Sequence, residues 1–295
     1  MSLSDLKKSN SNFDFLQKEL EKIANPEKEK TSYQEDTRYW RAAVDKAGNG
    51  YAVIRFLPAI EGEELPWVRV FSHGFQGPSG RWYIENSLTT LNKNDPVSEY
   101  NTRLWNSGVE SDKEIARKQK RKLQYFSNIF VVSDAKHPEN EGKVFLFRYG
   151  KKIHDKIVEA MKPAFEDEKA VNPFDFWEGA NFKLKIRKVD GYWNYDKSEF
   201  EAPSKLMEDE DKLEELYNTQ YPLAEFTVNT NFKSYDALKT RLNNVLAGTS
   251  VVGKISDEEP VDLNISVDTE DVPAPTEEVS DEDTMSYFEK LASET

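Results

Sequence analysis

The chain has 295 residues, 37 % of them hydrophobic, with a formal net charge of −14, which suits one sizeable core with unstructured ends. It contains no cysteine, so disulfides and thiolate-held metals are excluded, and an intracellular protein is expected. No apolar run reaches membrane-spanning length and Met1 to Asn12 is polar, so the expectation is a soluble chain without a signal peptide.

Residues 1–35 read as an N-terminal arm. Phe13, Leu16, Leu20 and Ile23 recur at helical spacing behind a candidate cap, Ser11. That stripe packs either on its own domain or on a neighbouring copy. Asn25-Pro26 and the charges after it read as a linker.

From about 38 to 235 the pattern is mostly strand. Tyr51 to Leu57, Trp67 to Phe71, Phe126 to Val132 and Lys143 to Tyr149 are β-rich runs, and Ala47-Gly48-Asn49-Gly50 reads as a hairpin turn. In Asn181 to Val189, Phe182, Leu184 and Ile186 alternate with Lys183, Lys185 and Arg187, predicting one apolar and one basic face. Helices are predicted over Lys151 to Met161 and Tyr235 to Leu246. The fold class expected is mainly β with peripheral helices, built on a five-stranded oligonucleotide-binding barrel over 36–246.

From 247 to 295 the chain reads as a disordered acidic tail. Residues 254–295 hold fourteen Asp and Glu against Lys254 and Lys290, a net of −12, leaving −2 for the other 253 residues. The overall charge therefore does not exclude a polyanionic ligand. Met285, Phe288 and Leu291 behind Ser286 and Glu289 form a short amphipathic tip suited to docking partner proteins.

Three clusters set cations beside rings. Six of the ten residues from Lys113 to Lys122 are Lys or Arg, including Lys120, Arg121 and Lys122, and Tyr125 and Phe126 follow. Phe147, Arg148, Tyr149, Lys151 and Lys152 form the second cluster, and Tyr192, Trp193 and Tyr195 the third. Exposed bases stack on aromatic faces while Lys and Arg displace counterions, so this pairing suits a single strand. Rings in strands are also ordinary core residues, and the two readings stay open for each cluster. His73, His137 and His154 form no spaced metal pair, and no phosphate-binding Gly-rich loop is present, so no enzyme is expected. The rivals are an acidic adaptor that holds partner proteins and an RNA-binding regulator.

The chain resembles the single-stranded DNA-binding (helix-destabilising, gene 32) protein family of T-even-type bacteriophages. The resemblance runs through Ala52-Val53-Ile54-Arg55-Phe56-Leu57-Pro58, His73-Gly74-Phe75, Trp82-Tyr83-Ile84-Glu85, Pro138 to Phe145, Gly150-Lys151-Lys152-Ile153, Trp177 to Phe182 and Asn194-Tyr195-Asp196. It implies cooperative, largely sequence-independent coating of single-stranded DNA during replication, recombination and repair in the cytoplasm of an infected host cell. It adds Arg55 and Trp105 to the strand-binding cleft, beside Lys120, Arg121, Lys122, Tyr125, Phe126, Phe147, Tyr192 and Tyr195. It further implies cooperativity through Lys7, Lys8 and Ser9, with self-association along DNA and tail-borne contacts to replication and recombination proteins. The family's zinc is held by one His and three Cys in an inserted segment, here about 73–112. The matching positions are His73, Ser87, Asp95 and Ser98, so no metal is expected. Residues 86–112 are then expected to be ordered by packing around Trp105 or to stay mobile.

Overall fold

The computed structural model describes residues 36–165, 167–189 and 191–247. The chain divides into two units, Met1–Thr37 and Arg38–Thr295, and every element below belongs to the second. The arm with Lys7, Lys8 and Ser9, and the tail beyond Ala247, lie outside the described residues.

Among the described residues nine strands form one mixed sheet: β1 Tyr39–Trp40, β2 Gly50–Phe56, β3 Val68–Gln76, β4 Trp82–Asn86, β5 Lys122–Ser133, β6 Val144–Tyr149, β7 Phe182–Val189, β8 Tyr192–Asn194 and β9 Glu199–Phe200. Among the same residues five α-helices flank it: α1 Pro96–Asn106, α2 Glu110–Lys118, α3 Lys151–Met161, α4 Glu210–Asn218 and α5 Tyr235–Leu246. The protein is thus mainly β with peripheral helices. The predicted bounds of α3 and α5 hold, and the expected turn before β2 forms. There Asp45 Oδ1 accepts from the amides of Ala47 (2.9 Å) and Asn49 (2.8 Å), and Gly48 takes φ +83°. That left-handed conformation suits glycine, which has no Cβ to clash.

Strand β5 is the hub. One edge pairs with β6 over Tyr125–Phe130, while the other pairs first with β3, over Lys122–Phe126, and then with β2, over Ile129–Ser133. This change of partner along one edge makes the sheet turn a corner. The barrel, however, is not closed by hydrogen bonds. The strand order runs β1-β6-β5-β2-β7-β8, and among the described residues no ladder joins its two ends.

The central core takes Trp40, Ile54, Phe56, Ile129, Val131, Phe182 and Leu184 from alternate positions of these strands, as the two-residue period of a strand requires. A second core packs Phe75, Tyr83, Leu88 and Val97 against Leu238, Leu242 and Val245 of α5. The segment after β3 therefore gets its apolar partner from a helix more than a hundred residues downstream. Sequence reading missed β4, α1, α2 and α4. The first is short, and α2 buries only Ala116, so its apolar periodicity is faint.

The basic face predicted for β7 also forms, but acids answer it. Lys183 lies 3.1 Å from Glu201, Lys185 2.7 Å from Glu199, and Arg187 donates to Asp196. β9 and the turn before it bring these carboxylates alongside, so the charge of this face is largely spent within the fold.

Candidate nucleic-acid interface

Directly opposed residues on paired strands point to the same side of a sheet. Register places Arg69 opposite Tyr125 and Tyr125 opposite Tyr149, so one line of side chains crosses β3, β5 and β6. Two residues further along β3, Phe71 lies opposite Leu123 on the same face. The Arg121 guanidinium covers the Phe71 ring at 4.0 Å, within cation–π range. From α3, which starts immediately after β6, His154 stacks on Tyr125 with ring centroids 3.8 Å apart and planes at 11°. Trp67 meets His154 edge-on at 5.5 Å. Arg69 is exposed, and Phe71, Trp67, Arg121 and His154 are half-buried.

The charge around this face is mainly positive. Lys151 and Lys152 open α3 exposed, with no acid in its first turn and no side-chain cap at Gly150. Asp155 answers Lys151 at 3.0 Å. Burial pushes the Tyr125 phenol up, with Arg69 opposing and Asp155 adding, so the ring is uncharged at neutral pH. Burial lowers the imidazole of His154, Asp155 opposes, and Arg69 and Lys151 add to the lowering.

The structure gathers only part of the expected site here. Arg121 and Lys151 belong to it, with Lys120 beside Arg121 and Lys122 opening β5, while Tyr125 lies beneath it, 6 % exposed in the central core. Trp105 sits apart on the α1–α2 hairpin, packed on Ala116 with the Arg117 and Lys113 cations 5.3 and 5.8 Å from its ring. Phe126 and Arg148, opposed to each other, point to the other face of the sheet. Phe126 stacks there on Phe226 at 4.4 Å, and Arg148 is held below the usual guanidinium range by burial and by Arg41. Phe147 and Tyr149 are 6 % and 4 % exposed in the central core, where the Tyr149 hydroxyl is 2.9 Å from Ser127 Oγ. Arg55, expected in the cleft, is instead wholly buried. Its guanidinium donates to the carbonyls of Ser204 (2.7 Å) and Asp175 (3.0 Å) and to Asn181 Oδ1 (3.3 Å), so it staples loops and offers nothing to a phosphate. Tyr192 and Trp193 lie on the β7–β8 hairpin, with Lys188 5.7 Å from the Trp193 ring. Tyr195 borders the same central core as Trp67 and Leu123.

Arg69, Phe71, Trp67 and His154 escaped the sequence reading. The first three had a visible signal: Trp67, Arg69 and Phe71 alternate along a run already assigned as strand, which places two rings and a cation on one side. His154 had none, because its neighbour Tyr125 is set by tertiary packing alone.

The positions matching the family's metal ligands do come together, as a hydrogen-bonded node. Asp95 caps α1, its Oδ1 accepting from the amides of Val97 (3.0 Å) and Ser98 (3.1 Å). Its Oδ2 accepts from the Ser87 hydroxyl and the Leu88 amide, both at 3.0 Å. The His73 ring lies beside this carboxylate, its Nδ1 hydrogen-bonded to the carbonyl of Gln119 at 3.1 Å and its Nε2 3.4 Å from Asp95 Oδ1 without a hydrogen bond. All are buried. Burial alone raises the Asp95 carboxyl, but His73 and the amides of Ser98 and Leu88 outweigh it and hold it below the usual carboxylate range. Zinc takes four thiolate, imidazole or carboxylate donors in a tetrahedron. Here the carboxylate oxygens are engaged by amides and a hydroxyl, and two of the four positions are serine, so the donor set does not fit that ion. The inserted segment is ordered by this node and by the α5 core rather than around Trp105.

A bent β-sheet that interleaves arginines with rings on one face is the architecture of a nucleic-acid-binding β module. The family model described as gp32 DNA binding protein like matches residues 48–246. Proteins named single-stranded DNA-binding protein from Enterobacteria phages T2 and T4 are each 42 % identical over 226 residues, covering 74 % of this chain and 73 % of theirs. One of the same name from Enterobacteria phage RB70 is 39 % identical over 94 residues, covering 31 % of this chain and 78 % of its own length. The chain belongs to the gp32-like family.

Proposed function

We propose that this protein coats single-stranded DNA, largely without sequence preference, in phage replication, recombination and repair, and that it catalyses no reaction. The observation that carries the reading is the face on which Arg69 and Arg121 flank Phe71 and the Tyr125–His154 stack. Cations there take backbone phosphates and release counterions, while unpaired bases stack on the flanking rings, an interaction indifferent to base identity. Tyr192, Trp193 and Tyr195 extend the path. Zinc plays no part, since the Asp95 node does its structural work. The arm, through Lys7, Lys8 and Ser9, aligns successive copies, and the setting is the cytoplasm of the infected host cell.

Titrating the intrinsic fluorescence with an oligothymidylate at two salt concentrations tests the reading. Quenching that weakens steeply with salt is expected. An acidic adaptor leaves the signal unmoved, and an RNA regulator prefers the RNA oligonucleotide of equal sequence in competition.

The acidic tail is a gate that competes with DNA for the cationic face and, once displaced, presents Met285, Phe288 and Leu291 to replication and recombination proteins. A chain ending at Gly253 then binds single strands more tightly than the parent at low salt, and the gain shrinks as salt screens the tail. Equal affinities at every salt concentration would reject the gate.

A further inference from the structure

Tyr125 stands at the corner of three rings, with His154 stacked on it and Tyr149 beside it, and Tyr149 and His154 lie 6.5 Å apart. Tyr149 and Tyr125 lie 5.6 Å apart at 14°, and Tyr125 and His154 lie 3.8 Å apart at 11°. The two tyrosines are 4 % and 6 % exposed, so the half-buried imidazole is the most open of the three rings. Packing alone does not account for a histidine at this place. Its Nδ1 is buried without a hydrogen-bond partner, a cost that a phenyl or indole ring in the same slot would avoid.

We propose that His154 contacts the DNA itself, giving a base its outer face to stack on and adding a positive charge beside the backbone when protonated. This rests on the strand-binding reading above. The charged groups facing the ring are Arg69 from β3 and Lys151 and Asp155 from α3, and the phenols of Tyr125 and Tyr149 face it from β5 and β6. Burial together with Arg69 and Lys151 keeps the free protein's imidazole neutral at neutral pH. A phosphate seated by those two cations offsets their repulsion and raises the imidazole, so binding takes up a proton. By reciprocity, affinity rises as pH falls through the bound protein's titration and the gain is absent above it.

The test is fluorescence anisotropy of a labelled oligothymidylate with the full chain and two variants, at about pH 5.5 and about pH 8, on either side of the histidine range. The parent is expected to bind severalfold tighter at the lower pH. His154→Phe keeps a ring on Tyr125 but cannot be protonated, so its affinity changes far less between the two pH values than the parent's does. His154→Ala loses the stacking face and binds at least about fivefold more weakly at both. The other histidines and the acidic tail are common to all three proteins, so the difference belongs to His154. A Phe variant that retains the full acid gain overturns the proposal. So does an Ala variant as tight as the parent, which would mean that the imidazole only covers Tyr125. If the Ala variant fails to fold, the Phe variant's pH profile still decides. A parent that binds no DNA at either pH would instead remove the strand-binding reading beneath it.

Discussion

Replacing Asp95 with alanine lowers the thermal unfolding midpoint by about 10 °C. The carboxylate has four hydrogen-bond partners, the amides of Leu88, Val97 and Ser98 and the Ser87 hydroxyl, with the His73 ring 3.4 Å away. Truncation strands all of them in a site where Asp95 and His73 are each 1 % exposed. Each buried hydrogen-bond partner left unsatisfied costs about 1–3 kcal/mol, and a domain of this size loses roughly 2–4 °C per kcal/mol. Asp95→Asn keeps the shape and one acceptor and is expected to fall between. Scanning calorimetry with and without a chelator separates this account from a metal-held segment. The parent's midpoint should not move when chelator is added, and a drop as large as that of Asp95→Ala would show that a metal, not the node, orders the segment.

The double substitution Arg69→Ala and Arg121→Ala weakens binding to an oligothymidylate roughly tenfold to a hundredfold at low salt. It also flattens the dependence of log affinity on log salt by about 1.4, or roughly 0.7 for each single-strand phosphate that the protein no longer neutralises. Both residues lie on the surface of the β3–β5 ladder, Arg69 opposite Tyr125 and Arg121 over Phe71, so truncating them removes cations while the central core stays intact. The matched control is Lys185→Ala on β7. That strand reads as the most regular basic face in the sequence, yet Lys185 is paired with Glu199 at 2.7 Å. Its loss should alter the salt slope by much less than the share of a single phosphate. Equal effects from the two changes, measured by salt-dependent anisotropy, would mean that the strand does not follow the β3–β5 face.

The contrast between these two basic faces marks the limit of reading charge from a strand pattern. Alternation along one segment states which side a lysine is on. It cannot state what stands opposite, because Glu199 and Glu201 arrive from β9 and the residue after it, and their approach is set by the turn before it. What packs from a distance also decides Arg55. The family resemblance put it in the cleft, whereas the loops around Asp175 and Ser204 close over it and supply carbonyls to its guanidinium.

What this sequence determined by itself is whatever is encoded at short range. The two-residue period of β2, β5, β6 and β7, the three-to-four period of α3 and α5, the turn at Asp45–Gly50 and the concentration of acid beyond residue 253 are all local, and a strand or helix expresses such patterns wherever it is placed. The pairing of Lys120–Lys122 with a following aromatic was legible for the same reason. Tertiary structure decided which rings face outward. Tyr125 and Phe126 are neighbours in the chain but lie on opposite faces of β5, one under His154 and the other under Phe226. Both covering rings come from elements whose position depends on the whole sheet. It also decided that Asp95, an ordinary acid in its segment, becomes a buried capping carboxylate, since only the fold of β3 against the start of α1 brings His73 to it. Burial and long-range pairing depend on what packs from a distance, and no window along the chain contains both partners.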